Sequence, residues 1–310
     1  MKNKKYKNSI LANYIQLGKF SVILPVSLTA FTGFFLHDAQ PGIEILLVTV
    51  GVFFLGISAS ALNQVQEMQI DALMQRTRNR PLPSKRISRE NALVYVIVSF
   101  LAGSLLIFTG GNGISLLLGI LTLFWYNGIY TPMKKHTAFA VIPGALTGAM
   151  PPVIGWTAAG GNLTDPVAIM LSFIFFMGQV PHFWLLILKY GDQYREAGLP
   201  GLTHVFSIHQ INRLSFVWIA ASLISAMVLA SLGIIENAFI RWILAGFTLP
   251  GIFLFSGLLN RKERAGEKKH FLLLNIYYLF LILILITELL SDPPLVIEQQ
   301  HILAATGQCV

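Results

Sequence analysis

The hydrophobic residues of this chain form long runs separated by short polar stretches. Nine runs approach the roughly 20 apolar residues that a helix needs to cross a membrane. They lie at about residues 18–36, 43–62, 91–109, 114–130, 138–158, 166–188, 213–233, 239–258 and 271–290. The pattern predicts an all-α fold with nine transmembrane helices in one bundle, in which residues 1–310 form a single integral membrane domain.

The composition agrees with this prediction, because 55% of the residues are hydrophobic and only 12% are charged. Charged residues make up about 25% of ordinary soluble domains. The single cysteine, Cys309, excludes an internal disulfide framework and a cluster of thiolate metal ligands. The lipid bilayer is therefore the expected surroundings of this chain.

The net charge of +8 indicates topology rather than nucleic-acid binding. If the N-terminus is cytoplasmic, every lysine and arginine except Arg241 falls on the cytoplasmic side of the nine spans. This is the distribution expected of a polytopic membrane protein. We expect a multi-pass protein of the cell inner membrane, with its N-terminus in the cytoplasm and its C-terminus outside.

Polar chemistry is concentrated in residues 63–88, NQVQEMQIDALMQRTRNRPLPSKRIS, between the second and third runs. Asn63, Glu67 and Asp71 are four residues apart, which places their oxygen atoms on one face of a helix. Oxygen ligands suit Mg²⁺, which takes one or two carboxylates together with phosphate oxygens. The basic residues from Arg76 to Arg86 suit the phosphate itself. The segment predicts a magnesium–diphosphate site at the membrane surface.

A second acidic pair, Asp192 and Glu196, is also spaced by four residues and lies on the same side of the membrane. If the bundle closes, the two carboxylate strips can face one pocket that holds Mg²⁺ and a diphosphate. Such a site would stabilise the charge that grows on a departing diphosphate.

The organic cation left behind needs a water-poor pocket with aromatic walls. The fourth and sixth runs offer five candidates: Trp125, Tyr126, Tyr130, Phe183 and Trp184. His182 lies within an apolar run, where a polar side chain is a functional candidate by default. A structural histidine with satisfied hydrogen bonds is the alternative there.

Simpler interpretations exist for each of these features. The carboxylates could be solvated or paired with nearby lysines, and the basic run 76–89 could bind lipid headgroups and set topology. Lys134 and Lys135 could also be topology signals only. The aromatic side chains could serve packing alone.

The motif Asn63-x3-Glu67-x3-Asp71, followed by the basic run, resembles the first aspartate-rich motif of the UbiA-type intramembrane prenyltransferase superfamily. More narrowly, four segments are similar to its protoheme IX farnesyltransferase branch: YTPMKK at 130–135, PPVIGW at 151–156, PHFW at 181–184 and YREAGLP at 194–200. The similarity extends from about residue 15 to residue 290. The chain departs from the branch at four positions, Glu67, Gln69, Ala140 and Gly201, where Asp, Asp, Asn and Met are common.

This resemblance implies Mg²⁺-dependent transfer of a farnesyl group from farnesyl diphosphate to a vinyl group of heme B, giving heme O and diphosphate. It also implies a lateral pocket, open to lipid, under catalytic loops at 63–90 and 189–212. Proteins of the heme A pathway or a terminal oxidase are implied as partners.

Site roles follow from the same resemblance and from the acidic spacing. The expected metal and diphosphate ligands are Asn63, Glu67, Asp71, Asp192 and Glu196. The expected diphosphate contacts are Arg76, Arg80, Lys134 and Lys135, and His182 is expected to face the porphyrin.

Two other functions remain open from the residues. The same chemistry could act on an aromatic quinone precursor, since the first motif is shared by that branch. A transporter or heme-handling assembly factor would bind without Mg²⁺-dependent diphosphate release. Transporters place their central polar groups nearer the membrane midplane than this chain does.

Overall fold

The structure, a computed structural model, describes residues 9–260 and 267–291. All regular elements in these two ranges are helical. The α-helices are α1 (Ile10–Leu17), α2 (Phe20–His37), α3 (Glu44–Gln66), α4 (Met68–Leu73), α5 (Arg89–Gly110), α6 (Gly113–Phe124), α7 (Thr131–Met133), α8 (Val141–Ala158), α9 (Pro166–Glu196), α10 (Ile208–Leu229), α11 (Ala238–Ser256) and α12 (Glu267–Ser291). Two π-helical segments, Trp125–Tyr130 and Ala230–Ile234, continue α6 and α10, and short 3-10 helices lie at Ala138–Ala140 and Leu202–His204.

Nine helical segments of the described chain are long and apolar enough to cross a membrane. They are Phe20–His37, Glu44–Gln66, Arg89–Gly110, Gly113–Met133, Ala138–Ala158, Pro166–Leu188, Ile208–Ile234, Ala238–Ser256 and Lys269–Glu288. Each corresponds to one of the nine apolar runs. The predicted all-α fold of a multi-pass membrane protein is therefore confirmed.

The bundle is built from neighbouring helix pairs. α3 packs mainly against α5, α2 packs against α8, and α9 lies between α8 and α10. Large apolar side chains on the outer faces are exposed, as Leu101 on α5 and Phe253 on α11 illustrate. Such faces are suited to lipid, because a hydrocarbon surrounding does not oppose exposed apolar side chains.

Helices α2 and α8 approach each other unusually closely. A Cβ atom on Gly155 would overlap the carbonyl oxygen of Ala30, and one on Gly33 would overlap the carbonyl oxygen of Pro152. Small residues allow helix backbones to meet in membranes. Two of the PPVIGW residues, Pro152 and Gly155, are thus part of a helix-packing contact.

The two segments expected to be catalytic loops are partly helical. α3 continues to Gln66, α4 follows at Met68, and α9 extends to Glu196. Glu67 separates α3 from α4, with φ −106° and ψ 9°. The spacing of Asn63, Glu67 and Asp71 survives, because the Glu67 amide donates to the Asn63 carbonyl at 3.0 Å and the Asp71 amide donates to the Glu67 carbonyl at 2.8 Å.

Candidate active site

Each of the three oxygen-bearing side chains of the first motif is paired with one cationic residue. The Lys134 ammonium lies 2.6 Å from Glu67 Oε1, and the Arg80 guanidinium lies 2.7 Å from Asp71 Oδ2. Lys19 Nζ donates to Asn63 Oδ1 at 3.5 Å. We call these six side chains the paired cluster. Asn63 and Asp71 are only 2% and 4% exposed, so the cluster is not a loose surface ion network.

Asn63 also connects the cluster internally. Its Nδ2 donates to Glu67 Oε2 at 2.9 Å and to the Thr131 hydroxyl at 3.1 Å. This arrangement leaves the Asn63 carboxamide oxygen directed towards Lys19. One amide therefore links the end of α3 to α7 and to the junction before α2.

The YTPMKK segment delivers Thr131 and Lys134 to this cluster. It follows the π-helical segment, in which the Tyr126 carbonyl accepts hydrogen bonds from both the amide and the hydroxyl of Thr131. Pro132 has no amide hydrogen to donate back into the preceding turn. The Asn127 carbonyl instead accepts a hydrogen bond from Gln66 Nε2 at 3.0 Å.

Asn127 and Gln66 form a reciprocal pair that fixes the π-helical segment to the end of α3. Asn127 Nδ2 donates to Gln66 Oε1 at 3.1 Å and to the Ala59 carbonyl at 3.1 Å. Single π turns occur frequently at functional sites in helical proteins. Here the pair sets the position of Thr131 and Lys134 relative to Asn63 and Glu67.

Lys19 reaches the cluster from the junction between α1 and α2. Its backbone is left-handed, with φ 50° and ψ 47°, an uncommon conformation for a residue other than glycine. Burial of the amine lowers the pKa of Lys19 to about 7, the nearby charges of Arg80 and Lys134 lower it too, and Glu67 and Asp71 oppose the shift. The amine is therefore in a region where positive charge is already crowded.

The last turns of α9 form a second side of the site. The Arg76 guanidinium lies 4.9 Å from the centre of the Tyr190 ring, and its backbone amide donates to Gln193 Oε1 at 3.0 Å. Burial raises the pKa of Tyr194, Arg76 counteracts this shift, and Glu67 adds to it. α9 thus contacts the basic run after the first motif through Gln193 and Tyr190.

A run of aromatic rings leads from the cluster into the bundle. The Lys134 ammonium lies 4.9 Å from the centre of the Tyr130 ring. The Tyr130 ring is 5.4 Å from Tyr126 and 6.2 Å from Phe183, measured between centroids. His182 continues the run, 6.1 Å from Phe183, and lies in a tilted arrangement 4.4 Å from Phe271 of α12.

Two of the predicted wall residues have other roles. Trp125 Nε1 donates to the Pro143 carbonyl at 2.8 Å, which anchors the start of the π-helical segment to α8. Trp184 is buried against Trp218 at 5.8 Å in the packing between α9 and α10. Of the predicted wall residues, Tyr130 adjoins the cluster, and Tyr126 and Phe183 lie next to the Tyr130 ring.

Several predicted ligands lie outside the paired cluster. Asp192, Glu196 and Lys135 are exposed. Within residues 9–260 and 267–291, no group of three or more His, Cys, Asp and Glu side chains is close enough to hold a metal ion. The two acidic strips are therefore not joined into one carboxylate cluster, and the metal roles of Asp192 and Glu196 stay predictions.

The basic run also divides into two parts. Arg86 donates to Asn13 Oδ1 at 2.7 Å and to Gln16 Oε1 at 2.9 Å, so its guanidinium fastens α1 to the loop before α5. The Lys85 side chain is exposed, and the ion pairs of the described chain do not include it. Arg76 and Arg80 are the members of this run that contact site residues.

Sequence reasoning missed Lys19, Gln66, Asn127, Thr131, Gln193 and Tyr194 as site residues. Lys19 looked like one of many basic residues near the N-terminus. Thr131 could have been identified from the sequence, because it lies in the same YTPMKK segment as the predicted Lys134. The others come from segments whose proximity only the packing reveals.

The donor set fits Mg²⁺ in its chemistry. Asn63, Glu67 and Asp71 supply one amide and two carboxylate oxygens, which are hard ligands. Because cationic residues now hold these oxygens, a metal ion would have to replace them. A diphosphate, carrying oxygens of its own, could then take the released cations.

Comparison with known proteins gives the family. Residues 26–283 match the UbiA prenyltransferase family. A protoheme IX farnesyltransferase of Oleidesulfovibrio alaskensis is 35% identical over 272 residues, covering 88% of this chain and 94% of that protein. One from Geobacter sulfurreducens is 41% identical over 195 residues, covering 63% of this chain and 72% of that protein.

Solved structures agree in fold. A digeranylgeranylglyceryl phosphate synthase has a TM-score of 0.75 at 16% identity, covering 91% of this chain and 99% of that one. A UbiA homolog from Archaeoglobus fulgidus bound to GPP and Mg²⁺ has a TM-score of 0.70 at 16% identity, covering 90% and 98%. With the sequence relatives, these likenesses confirm the expected superfamily, and this chain belongs to the UbiA prenyltransferase family.

Proposed function

We propose that this chain is a protoheme IX farnesyltransferase, which transfers farnesyl from farnesyl diphosphate to a vinyl group of heme B, with Mg²⁺. The observation that carries the proposal is the paired cluster at one end of an aromatic run leading to His182. The names of the sequence relatives support the choice of acceptor. The Archaeoglobus fulgidus homolog, bound to GPP and Mg²⁺, supports the choice of metal and of a prenyl diphosphate.

Different side chains would bind the metal ion and the diphosphate. Asn63, Glu67 and Asp71 would hold Mg²⁺, and Arg80 and Lys134 would contact the diphosphate. Mg²⁺ supplies positive charge that stabilises the departing diphosphate. Arg76, Lys135, Asp192 and Glu196 remain proposed ligands at the rim of the site.

No protein nucleophile is needed for the transfer. The bond between farnesyl carbon and diphosphate oxygen breaks with its electron pair going to the oxygen, and Arg80 and Lys134 stabilise that charge. The vinyl group of heme then donates its electron pair to the farnesyl cation. Water adds to the resulting porphyrin-side cation and loses a proton, which gives the hydroxyethylfarnesyl group.

The aromatic run has two roles in this proposal. Tyr126, Tyr130 and Phe183 would surround the allylic cation with ring faces and exclude water. His182, between Phe183 and Phe271, would face the porphyrin. In this proposal, the diphosphate would lie at one end of the run and the acceptor at the other.

The proposed site lies on the cytoplasmic side of the inner membrane, with the N-terminus inside and the C-terminus outside. The distribution of lysine and arginine supports this orientation. Proteins of the heme A pathway or a terminal oxidase stay predicted partners.

Product analysis tests the proposal. Membranes containing the protein are incubated with heme B, farnesyl diphosphate and Mg²⁺, with EDTA as the control, and hemes are separated with mass detection. A heme carrying a hydroxyfarnesyl addition, formed only with Mg²⁺, is the expected product. Diphosphate release with an aromatic acid but not with heme would assign the quinone branch. Binding without diphosphate release would assign the transporter or assembly role.

A further inference from the structure

The paired cluster contains three cationic residues, although the sequence motifs supply only two of them. Arg80 comes from the loop after α4, and Lys134 follows α7. Lys19 comes from the junction of α1 and α2, a segment that none of the recognised motifs includes. We propose that Lys19 is a third diphosphate-binding residue, which transfers from the Asn63 oxygen to the prenyl diphosphate when substrate binds; this inference rests on the proposed function.

The pairing pattern is the first argument. Each oxygen-bearing side chain of the proposed metal site has one cationic partner: Lys19 for Asn63, Lys134 for Glu67 and Arg80 for Asp71. A carboxamide is neutral, so an ammonium gains less from it than from a carboxylate or a phosphate. Of the three cationic residues, Lys19 therefore has the weakest partner and is released most easily.

The backbone of Lys19 is the second argument. The residue has φ 50° at the point where α1 ends and α2 begins. Such a conformation is unfavourable for a residue with a Cβ atom and persists where surrounding structure enforces it. At this position, it directs the lysine side chain towards the end of α3 instead of along α2.

The surrounding contacts are the third argument. Gln64 Nε2 donates to the Leu17 carbonyl at 2.6 Å, which holds the α1–α2 junction against α3. Arg86 fastens the middle and the last turn of α1 through Asn13 and Gln16. The junction is thus held from two directions, so Lys19 is presented to the site by a fixed segment.

Lys85 provides a matched control for a substitution at Lys19. It is also a lysine with left-handed backbone, φ 57°, but its side chain is exposed and outside the paired cluster. Lys19→Met and Lys85→Met therefore remove the same charge from the same backbone conformation. Lys19→Arg keeps the charge and serves as the conservative variant.

Two measurements on the full-length protein in detergent test the inference. The first is the Kd for inorganic pyrophosphate with Mg²⁺, measured by calorimetry, which needs no heme. The second is the KM and kcat for farnesyl diphosphate. We expect Lys19→Met to raise both the Kd and the KM by about tenfold or more, as loss of a charged hydrogen bond to phosphate implies. Lys19→Arg should stay within a few-fold of wild type, and Lys85→Met should be unchanged.

A Kd for pyrophosphate and a KM for farnesyl diphosphate within twofold of wild type in Lys19→Met would overturn the inference. A fall in kcat alone, with unchanged Kd and KM, would also overturn it and indicate a merely structural residue. If the Lys19→Met variant does not fold, a second experiment uses the wild-type protein. The extent of lysine acetylation is then compared with and without Mg²⁺ and pyrophosphate. Protection of Lys19 but not Lys85 is then expected, and equal modification in the two conditions contradicts the inference.

The same measurements separate this inference from the proposed function. If pyrophosphate binding depends on Lys19 but no heme product forms, the inference about Lys19 is supported and the proposal that heme is the acceptor is contradicted. A heme product whose formation is indifferent to Lys19→Met would leave the function standing and remove the inference.

Discussion

Asp71 is a buried, charged residue of the site that forms an ion pair with a cationic residue. It is 4% exposed, pairs with Arg80, and its backbone carbonyl accepts a hydrogen bond from the Thr77 hydroxyl at 2.9 Å. Under the proposed function, a buried carboxylate held in this way would bind a metal ion once its cation moves to another anion. The role of Asp71 therefore depends on its charge more than on its size.

Asp71→Asn should lower the rate of heme product formation on the order of 10²-fold or more, the scale seen when one electrostatic contact to a departing group is removed. The variant keeps the shape of the side chain but not the negative charge. The measurement is the Mg²⁺-dependent rate of heme product formation, with membrane insertion and thermal unfolding checked in parallel. Gln69→Ala, at an exposed neighbouring position, is the control. Full activity of Asp71→Asn would refute the metal role.

For individual residues, the sequence predicts those positions in the site that depend on spacing along one helix. The four-residue spacing of Asn63, Glu67 and Asp71 was sufficient to place them on one strip, even though the helix breaks at Glu67. Lys19 and Thr131 could not be predicted as partners of Asn63. They lie 44 and 68 residues away from it along the chain, so only packing brings them together.

Among the elements, the π-helical segment Trp125–Tyr130 has the greatest influence on the site. The apolar run predicted a plain helix there, because periodicity does not distinguish a π turn from an α turn. The π turn coincides with one tertiary hydrogen bond, donated by Gln66, and two local hydrogen bonds, donated by Thr131. Gln66 Nε2 donates a hydrogen bond to the Asn127 carbonyl. The amide and the hydroxyl of Thr131 both donate to the Tyr126 carbonyl.

Gln66→Leu should uncouple this segment from α3. Loss of the reciprocal amide pair leaves buried groups of Asn127 unsatisfied, which destabilises the fold by about 1–3 kcal/mol. We expect a lower thermal unfolding temperature in detergent and a several-fold lower kcat/KM.

A double-mutant cycle with Asn127→Leu distinguishes a direct pair from two independent effects. The double variant should lose little more than either single variant. Gln75→Leu, at an exposed position, controls for the general effect of replacing a glutamine. Additive losses in the double variant would show that Gln66 and Asn127 do not act as a unit.

For the molecule as far as the structure describes it, the nine spans and their order were predictable, because each span must satisfy its backbone hydrogen bonds internally and be apolar for about 20 residues. Which helices touch was not predictable from the runs. The close contact of α2 with α8 depends on Gly33 and Gly155, which look like ordinary transmembrane glycines in the sequence. A segment that resembles a branch signature thus turned out to contain a packing contact.

Orientation in the membrane can be tested by cysteine labelling. In a Cys309→Ser background, His136→Cys after α7 and Thr164→Cys before α9 introduce single thiols at exposed positions on opposite ends of the bundle. An impermeant maleimide should label Thr164→Cys in intact cells, and His136→Cys only after the membrane is permeabilised. The reverse pattern would invert the proposed topology.

The π-helical segment also has a consequence in genetic terms. A π turn holds one residue more than an α turn, so Trp125–Tyr130 is equivalent to a single-residue insertion in a continuous helix. If the segment changed to the α form with every residue kept, everything after it would rotate by about 100°. Thr131 and Lys134 would then turn away from Asn63 and Glu67 although no site residue had changed. The geometry of this site is thus encoded partly in the number of residues before Thr131.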